Sequence, residues 1–450
     1  MLNWRLLLQV LAIVTALIVV GAWLVLFPTP RFPAPTGAMG IGTRVYYWTD
    51  GTRLEPFTAA RGDPRRLVVQ VWYPSSGTGL NQPYIDRLEV LAAIARRLRI
   101  PPFLLRKLQD APTHAVRDGR PAGGQHPVLV NPTGFSGFRT SSLFWIEDLV
   151  SHGYVVVTLD QPGTAAASVW SDGVVTPLIA DKNTFDRYMP LARSGPSERA
   201  IEMNGVALPG GIIPFLANDL SFVLDQLELV NQSDPILAGT LDLEHVGVFG
   251  MSLGGYIAPE ACHRDPRFKA CLAVDSGKSE VVAQLGLDQP VMIIGRDADT
   301  MRSERRKAGG WPDAEINHTI DSQRAIFDHN RGDAYSVTMK GMHHLNWTDA
   351  PILSPLVRWS GLAGPIDPYL GFTLTNDCTR SFFDRYLKAA RATQVCGDSN
   401  AEPSVQIKIR LADPRQSSFR SLPAPATAPT LAYARTDPTR RRHEKGSVGP

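Results

Sequence analysis

One short segment, residues 248–255, restricts the fold of this chain more than any other part of the sequence. It reads Val-Phe-Gly-Met-Ser-Leu-Gly-Gly and continues a β-rich run that begins at His245. In a G-x-S-x-G pattern of this kind the serine lies on a sharp strand-to-helix turn, where small residues two positions before and after it let the backbone close. Gly250 and Gly254 occupy those positions. The segment predicts a strand, a strained turn that exposes Ser252, and a helix.

The rest of the chain predicts a sheet around this turn. Short runs rich in Val, Ile and Leu alternate with segments of helical spacing, which is typical of a mostly parallel sheet with crossover helices on both faces. Continuous apolar character favours strands buried on both sides. The predicted strands are Arg66–Tyr73, His126–Val130, Tyr154–Leu159, Leu243–Phe249, Lys269–Val274, Pro290–Ile294 and Ala334–Met339, and the predicted helices are Ser141–His152, Leu216–Val230, Asp321–Phe327 and Thr379–Arg391.

The N-terminus carries an apolar segment, Leu6–Phe27, that is long enough to cross the roughly 30 Å hydrocarbon layer of a membrane as a helix. A cleaved secretory signal has a shorter apolar region that ends at small residues, whereas this run continues through Trp23 to Phe27. We therefore expect an uncleaved single-pass anchor with the following domain outside the cytoplasm. Secretion after cleavage of the segment is the alternative.

Composition divides the chain into three parts. Residues 1–36 form the anchor and a Pro-rich linker, 37–411 a catalytic domain, and 412–450 a basic tail too poor in apolar residues to fold. Of the 450 residues, 44% are hydrophobic and the net charge is only +3, which gives no indication of nucleic-acid binding. The four cysteines are too scattered for a zinc motif, so no metal or cofactor is predicted. Pairing of Cys378 with Cys396 and free buried thiols remain equal alternatives.

A long insertion, residues 161–214, precedes the strand that leads to Ser252. It is rich in Gly, Pro and Ser, yet it contains Trp170, Phe185, Tyr188 and the apolar stretch Leu208–Phe215. An insertion of this length is either a lid over a site or a disordered loop, and the embedded apolar residues favour a lid. Packing of the apolar stretch against the core is the competing interpretation.

A serine hydroxyl needs a general base, and the base needs a carboxylate that fixes its tautomer. His343 and His344 follow the predicted strand Ala334–Met339 and are the candidates for the base. For the carboxylate, Asp275 follows one predicted strand, and Asp297 and Asp299 follow the next. All three lie at the strand ends where sites are built in open parallel sheets, so geometry alone does not choose between them. The commonest hydrolase arrangement favours Asp297 or Asp299.

Six segments of the sequence match motifs of one known enzyme family, in the same order and with similar spacing. They are Val71–Ser75, Gly134–Thr140, Leu149–Val156, the turn around Ser252, Leu272–Asp275 and Gly341–Asp349. On these motifs the chain, from about Arg66 to Leu387, resembles the group II platelet-activating factor acetylhydrolases, serine lipases of the α/β-hydrolase fold that release short or oxidised acyl groups from phospholipids. The resemblance implies Ser252 as nucleophile, Asp275 as acid, His344 rather than His343 as base, and the backbone amides of Phe135 and Leu253 as the oxyanion hole.

We therefore expect a membrane-anchored serine ester hydrolase that acts on a phospholipid or a small ester. A second interpretation is a cutinase-like or general carboxylesterase, or a polyester hydrolase, in which Asp297 or Asp299 is the acid. A third is a cell-surface binding module on a hydrolase scaffold, because a fold does not determine a function. Such modules usually lose a member of the triad, whereas here a candidate for each member is present.

Overall fold

A computed structural model describes residues 4–58, 60–179, 201–388, 390, 393–397 and 399–413. The predicted N-terminal apolar helix is present as α1 (Trp4–Leu26), which has a mean hydropathy of 2.5 and buries none of its residues. This is the one helix of the described residues that is long and apolar enough to span a membrane. The tail beyond residue 413, and residues 180–200 of the insertion with Phe185 and Tyr188, lie outside the described residues.

The core of the fold is a twisted sheet of eleven strands within the described residues, in the order β15-β14-β13-β12-β11-β5-β6-β2-β1-β4-β3. β7 pairs with β8, and β9 with β10, in two separate hairpins. The strands are β1 (Gly40–Leu54), β2 (Pro64–Ser75), β3 (Asn81–Pro83), β4 (Pro112–Arg117), β5 (His126–Pro132), β6 (Val155–Asp160), β7 (Ala167–Val169), β8 (Val175–Pro177), β9 (Ile201–Met203), β10 (Val206–Leu208), β11 (Leu241–Met251), β12 (Phe268–Val274), β13 (Val291–Gly295), β14 (Ala334–Met339) and β15 (Val405–Arg410).

The predicted mostly parallel sheet is confirmed, since β6, β5, β11, β12, β13 and β14 pair in parallel in that order. Each predicted strand coincides with one of the observed strands, but β2, predicted as Arg66–Tyr73, runs antiparallel to both of its neighbours. Sequence analysis missed β1 and β15. Both carry polar or half-exposed residues along much of their length, because each has an exposed side, so neither shows the continuous apolar run of a buried strand.

Helices cover both faces of the sheet. The helices after α1 are α2 (Leu88–Leu98), α3 (Arg106–Gln109), α4 (Leu143–Ser151), α5 (Ile212–Ser233), α6 (Leu253–Arg264), α7 (Glu280–Leu285), α8 (Ala298–Ala308), α9 (Asp313–His329), α10 (Ala350–Leu353), α11 (Pro355–Trp359) and α12 (Pro368–Leu387), with 3₁₀ turns at Pro102–Leu105, His344–Trp347 and Ser399–Ala401. Alternate residues of β2 show the two faces, because Trp72 packs into one apolar cluster with α4 and α12, and Val71 and Tyr73 pack into another with α5 and α6.

The last long helix differs from its prediction at both ends. It was expected over Thr379–Arg391, but it begins at Pro368 and ends at Leu387. The carboxylate of Asp367 accepts hydrogen bonds from the amides of Tyr369 and Leu370, and Pro368 takes the first helical position, which together form a strong start signal. Cys378 of this helix is joined to Cys396 by a disulfide, so the structure decides the open alternative in favour of pairing.

The apolar stretch of the insertion forms part of the core. Leu208 ends β10, and Ile212 and Ile213 begin α5; all three are almost completely buried in the cluster beneath α5 and α6. Trp170 is also buried, with the Arg66 guanidinium 4.3 Å from its ring centroid. This stretch thus packs in the core, with Leu208 at the end of a strand and Ile212 and Ile213 in the first turn of a buried helix.

Candidate active site

Ser252 lies on the predicted turn between β11 and α6. Its backbone has φ 59° and ψ −121°, a strained conformation for a residue with a side chain. A Cβ on Gly250 would lie 2.3 Å from the carbonyl oxygen of Gly254, and a Cβ on Gly254 would lie 2.3 Å from that of Pro132. Only glycine fits at either position. The tight turn raises the serine hydroxyl at the carboxyl end of the parallel strands.

Ser252, His344 and Asp275 form a hydrogen-bonded chain. The Nε2 atom of His344 lies 3.0 Å from Oγ of Ser252, and its Nδ1 atom lies 2.6 Å from Oδ2 of Asp275. Asp275 directly follows β12, whose Val274 is paired in register with Met251 of β11. His344 opens the 3₁₀ turn in the loop after β14. The sheet thus brings together three side chains that lie up to 92 residues apart in the sequence.

The competing candidates lie elsewhere. Asp297 caps α8, where its carboxylate accepts a hydrogen bond from the amide of Thr300 at 2.8 Å. The Asp299 side chain is 96% exposed and faces Arg302. His343 is buried, with its Nδ1 atom 2.7 Å from the carbonyl oxygen of Gly361. Of the carboxylates and histidines named from the sequence, Asp275 and His344 are the pair that reaches Ser252.

The charge of Asp275 is stabilised by Arg296. Burial alone would raise the pKa of this fully buried carboxyl group, but the guanidinium of Arg296 and the ring of His344 override it and lower the pKa to about 2. Arg296 follows β13 and contacts both carboxylate oxygens, with Nε 2.9 Å from Oδ1 and Nη2 2.9 Å from Oδ2. Asp275 is therefore ionised at neutral pH, as a carboxylate that orients an imidazole must be.

Three further residues surround the His344–Asp275 pair that sequence reasoning did not single out. Arg296 also contacts the carboxylate of Glu304, and the other oxygen of Glu304 accepts a hydrogen bond from the amide of His344 at 3.3 Å. The ring of Trp311 packs edge-on against His344, with 5.0 Å between centroids. Glu304 and Trp311 lie on a polar helix and the loop after it, where no sequence pattern marks them. For Arg296, the one feature of the sequence that could have indicated a role is that it directly follows a buried strand.

A second loop, after β5, borders Ser252 on the opposite side. Gly134 lies so close that a Cβ there would be 3.4 Å from the Cβ of Ser252. Ser136 has a positive φ of 63°, and its amide donates to the carbonyl oxygen of Thr164. Phe135 lies between these two residues. Leu253 is the first residue of α6, where a backbone amide has no partner within its own helix.

A cavity of about 900 Å³ opens in front of Ser252 and His344. None of the described residues of the 161–214 insertion lines it. Residues 180–200 lie outside the described part of the chain, so the lid stays a prediction. The apolar wall instead comes from α2 and the turn after it, from α10 and α11, and from the residues that follow α1. Its apolar lining includes Phe27, Pro28, Ile94, Leu98, Ile100, Leu104, Leu105, Leu108, Phe135, Phe138, Leu345, Leu353, Leu356, Val357, Trp359 and Leu362.

Among solved structures, the chain is similar to a ferulic acid esterase from Streptomyces cinnamoneus, with a TM-score of 0.64 and 24% identity over 84% of this chain and 99% of that one. The chain has the α/β-hydrolase fold. The parallel strands, the turn that carries Ser252 and the helices on both faces all agree with this fold. No protein-family model matches the chain.

Curated relatives confirm the resemblance drawn from the sequence motifs. The chain is 22% identical over 274 residues to a platelet-activating factor acetylhydrolase from Cavia porcellus and 21% identical over 285 residues to one from Bos taurus. Each match covers 59% of this chain and 58% of the relative, so the chain spans less than two thirds of their length. It is also 29% identical to the hydrolase ffsE of Aspergillus flavipes over 154 residues, which are 34% of this chain and 26% of that protein.

Proposed function

We propose that this protein is a serine ester hydrolase of the platelet-activating factor acetylhydrolase type, held on a membrane by its N-terminal helix. The observation that carries the proposal is the Ser252–His344–Asp275 chain at the edge of a large apolar cavity. The similarity to acetylhydrolases and to an esterase supports the same class of reaction. In this role Ser252 is the nucleophile, His344 the base and Asp275 the acid.

The proposed reaction proceeds in two steps. Nε2 of His344 takes the hydroxyl proton as Oγ of Ser252 attacks the acyl carbonyl carbon, and the imidazolium then returns that proton to the departing alcohol oxygen. This leaves an acyl ester on Ser252. Water, deprotonated by the same histidine, attacks that ester, and the histidine then passes the proton to Oγ of Ser252 as the carboxylic acid is released. Throughout the cycle Asp275 stays ionised, fixes the tautomer of His344 and stabilises its positive form.

The tetrahedral intermediate carries a negative oxygen that needs backbone donors. We assign this role to the amides of Phe135 and Leu253, which belong to the two segments that flank Ser252. The close packing of Gly134 on Ser252 and of Gly254 on Pro132 keeps these segments together. The removal of one oxyanion donor typically costs about 3 kcal/mol of transition-state stabilisation.

Several features support a lipid ester as substrate and a location outside the cytoplasm. The cavity is large enough for an acyl chain, and its wall is mostly apolar. Arg97 and Lys107 at the same cavity supply positive charge for a phosphodiester. The Cys378–Cys396 disulfide is typical of proteins that face an oxidising compartment. Short or oxidised acyl groups of phospholipids are the substrates proposed here.

The full-length protein in detergent, treated with a fluorophosphonate probe, tests the nucleophile. We expect labelling and hydrolysis of 4-nitrophenyl esters by the wild type and by Ser233→Ala, a surface serine on α5, and neither from Ser252→Ala. Loss of labelling in Ser252→Ala alone assigns the nucleophile. Labelling that persists in the Ser252→Ala protein would overturn it.

Phospholipids with an sn-2 acetyl, an oxidised or a long acyl chain then test the substrate class. We expect the acetyl and oxidised chains to be released faster than the long chain. Hydrolysis of simple aryl esters or polyesters without activity on any phospholipid would instead favour the general carboxylesterase interpretation.

A further inference from the structure

The N-terminal helix ends at the wall of the cavity. Phe27 and Pro28, the two residues after α1, line the same cavity as Ser252 and His344. The Leu26 carbonyl oxygen accepts a hydrogen bond from Oγ of Ser354 at 2.6 Å, between α10 and α11. Nζ of Lys107, which also lines the cavity, lies 4.3 Å from the ring centroid of Trp23. The helix end therefore contacts two segments that line the cavity.

The residues around this end are unusually apolar for a surface in water. Leu98, Leu356 and Trp359 line the cavity and are 53%, 40% and 69% exposed. Exposed arginines, Arg96, Arg97, Arg99, Arg106 and Arg358, lie in the same helices and turns. Exposed apolar side chains and arginines in the same elements suit the boundary between acyl chains and anionic headgroups. A helix of 23 residues is about 34 Å long, so it reaches that boundary at its end, where the cavity begins.

We propose that the N-terminal helix is retained as part of the substrate site, with Phe27 and Pro28 as one wall of the acyl cavity. The cavity then takes an ester directly from the leaflet at which the helix ends, and the acyl chain need not cross water. This rests on the ester hydrolase activity proposed above. It assigns the anchor a role in binding as well as in localisation.

The test uses full-length protein in lipid nanodiscs, the variant Phe27→Ser and the matched control Phe103→Ser. Phe103 is an apolar residue, 65% exposed, on the turn after α2, and it does not line the cavity. For an oxidised phospholipid in the bilayer we expect Phe27→Ser to lower kcat/KM about 10-fold, since it removes one large apolar contact with the chain. Hydrolysis of 4-nitrophenyl acetate, whose acyl group is too short to fill the cavity, should fall less in Phe27→Ser than hydrolysis of the phospholipid does, and Phe103→Ser should change both by less than about twofold.

Two outcomes would overturn the wall role. One is an equal loss of phospholipid hydrolysis in both variants, which would indicate general lipid contact. The other is a mature chain, identified by mass spectrometry of the membrane-purified protein, that begins after Pro28. Failure of the proposed function would be distinct, because the wild type would then show no hydrolysis of 4-nitrophenyl acetate that depends on Ser252.

Asp275 and Glu304 share one buried arginine next to the proposed triad. Arg296 is buried between Asp275 and Glu304 and contacts both carboxylates. Glu304 in turn accepts the amide of His344, so the same arginine is linked to the acid and to the backbone of the base. The charge of the buried Lys278 also interacts with Asp275. His318 of α9 lies close to Gly277, two residues after Asp275. Among the described residues, the basic side chains that contact the Asp275 carboxylate are Arg296 and His344.

We further infer that Arg296 is a positioning residue that fixes the Asp275 carboxylate and sets the acidic limit of activity. Its guanidinium contacts both oxygens of the Asp275 carboxylate and helps to keep the pKa of this buried group low. Asp275 must be ionised to fix the tautomer of His344. Without Arg296, the buried carboxyl groups of Asp275 and Glu304 would lose the positive charge between them, the pKa of Asp275 would rise, and the acidic limit of activity would move upward.

Variants of Arg296 test this with the pH profile of kcat/KM. Arg296→Gln should shift the acidic limb of the profile upward by about one pH unit. Arg296→Lys keeps the positive charge, so its acidic limb should lie at the wild-type pH, with a lower kcat/KM than the wild type. The matched control is Arg65→Gln, because Arg65 is also buried between two carboxylates, Glu55 and Asp219, away from the cavity. It should lower stability without moving the limb.

A structural role alone would predict a loss of stability and an unmoved limb for Arg296→Gln, and that result would overturn the inference. Should Arg296→Gln fail to fold, the double variant Arg296→Gln with Glu304→Gln removes the excess negative charge while Asp275 still lacks the guanidinium, so its acidic limb should still lie above that of the wild type. An unmoved limb in an active variant contradicts only the role of Arg296. Loss of the proposed function itself would show in the wild type, as absence of hydrolysis that depends on Ser252.

Discussion

Asp349 accepts a hydrogen bond from the backbone amide of Leu143 at 2.7 Å, and this contact joins the loop that carries His344 to the first turn of α4. The second carboxylate oxygen accepts the amide of Phe144 at 3.1 Å. The helix α4 begins just after the loop that contains Phe135. A single buried carboxyl group therefore connects the segment of the proposed base with the segment of the proposed oxyanion hole.

Replacement of Asp349 by Asn should lower the free energy of unfolding by about 2 kcal/mol at pH 5, because one amide oxygen replaces two acceptors for buried amides. Burial raises the pKa of Asp349 to about 8, against the hydrogen bonds that lower it. The unfolded aspartate titrates near pH 4, so this group's stabilisation is lost as the pH rises through 8. The free energy of unfolding in urea should therefore differ less between the wild type and Asp349→Asn as the pH rises from 5 to 9. Asp367→Asn, at the exposed cap of α12, is the control, and a constant difference for Asp349→Asn would contradict this assignment.

The choice of acid has a direct kinetic test. Asp275→Asn should lower kcat on 4-nitrophenyl butyrate by about 10³-fold or more, because the base loses the group that fixes its tautomer. Asp299→Asn should change kcat less than about twofold, since that side chain points to solvent. A comparable loss in the Asp299 variant would show that the arrangement in solution differs from the one described.

The tight turn at Ser252 predicts the effect of one methyl group. Gly254→Ala places a Cβ against the carbonyl oxygen of Pro132, and the resulting shift separates the Ser252 turn from the loop with Phe135. We expect a loss of about 1–3 kcal/mol in unfolding free energy and at least about a 10-fold loss in kcat. Gly51→Ala, where nothing lies within 4 Å, should match the wild type in both measurements. Wild-type activity in Gly254→Ala would show that the turn can relax.

The cavity predicts a dependence on chain length. Ile94 of α2 is half-buried in its wall, and Ile94→Trp would fill part of the volume. On a series of nitrophenyl esters, kcat/KM for ten or more carbons should fall about 10-fold, with little change for acetate. Leu80→Trp, at an exposed position away from the cavity, controls for the added indole. A uniform fall across the series would mean that long chains bind elsewhere.

Local signals explain which parts could be predicted. The turn at Ser252 and the loop of His344 each follow a buried strand, and short-range patterns mark both. The acid could not be chosen this way, because Asp275 and Asp299 both follow strands; resemblance favoured Asp275, and the structure places it beside His344. No local pattern distinguishes an acid that contacts a base from one that faces solvent.

The wall of the cavity could not be predicted for a related reason. It combines α2, α10, α11 and the end of α1, which are distant in the sequence and meet only after folding. Their apolar residues fit a core helix or a surface helix equally well. A lid was predicted in the insertion because apolar residues occur there in a long segment without a clear helix or strand pattern. Ile212 and Ile213 of this segment belong to a buried helix. Arg296 was missed because its partner Glu304 is defined by tertiary contact.

Pairing of Met251 with Val274 sets Ser252 and Asp275, the residues that follow them, at the same level of two adjacent strands. The separation of these two groups is thus dictated by the spacing of backbone hydrogen bonds between strands, which loops cannot alter. Insertions or substitutions in α2, α10, α11 or the N-terminal segment can reshape what the cavity accepts and leave the reacting groups in place. A slip of one residue between β11 and β12 would instead turn every side chain of one strand to the opposite face. Variation in substrate preference among proteins of this architecture is therefore expected to accumulate in the cavity wall, with the two central strands kept free of insertions.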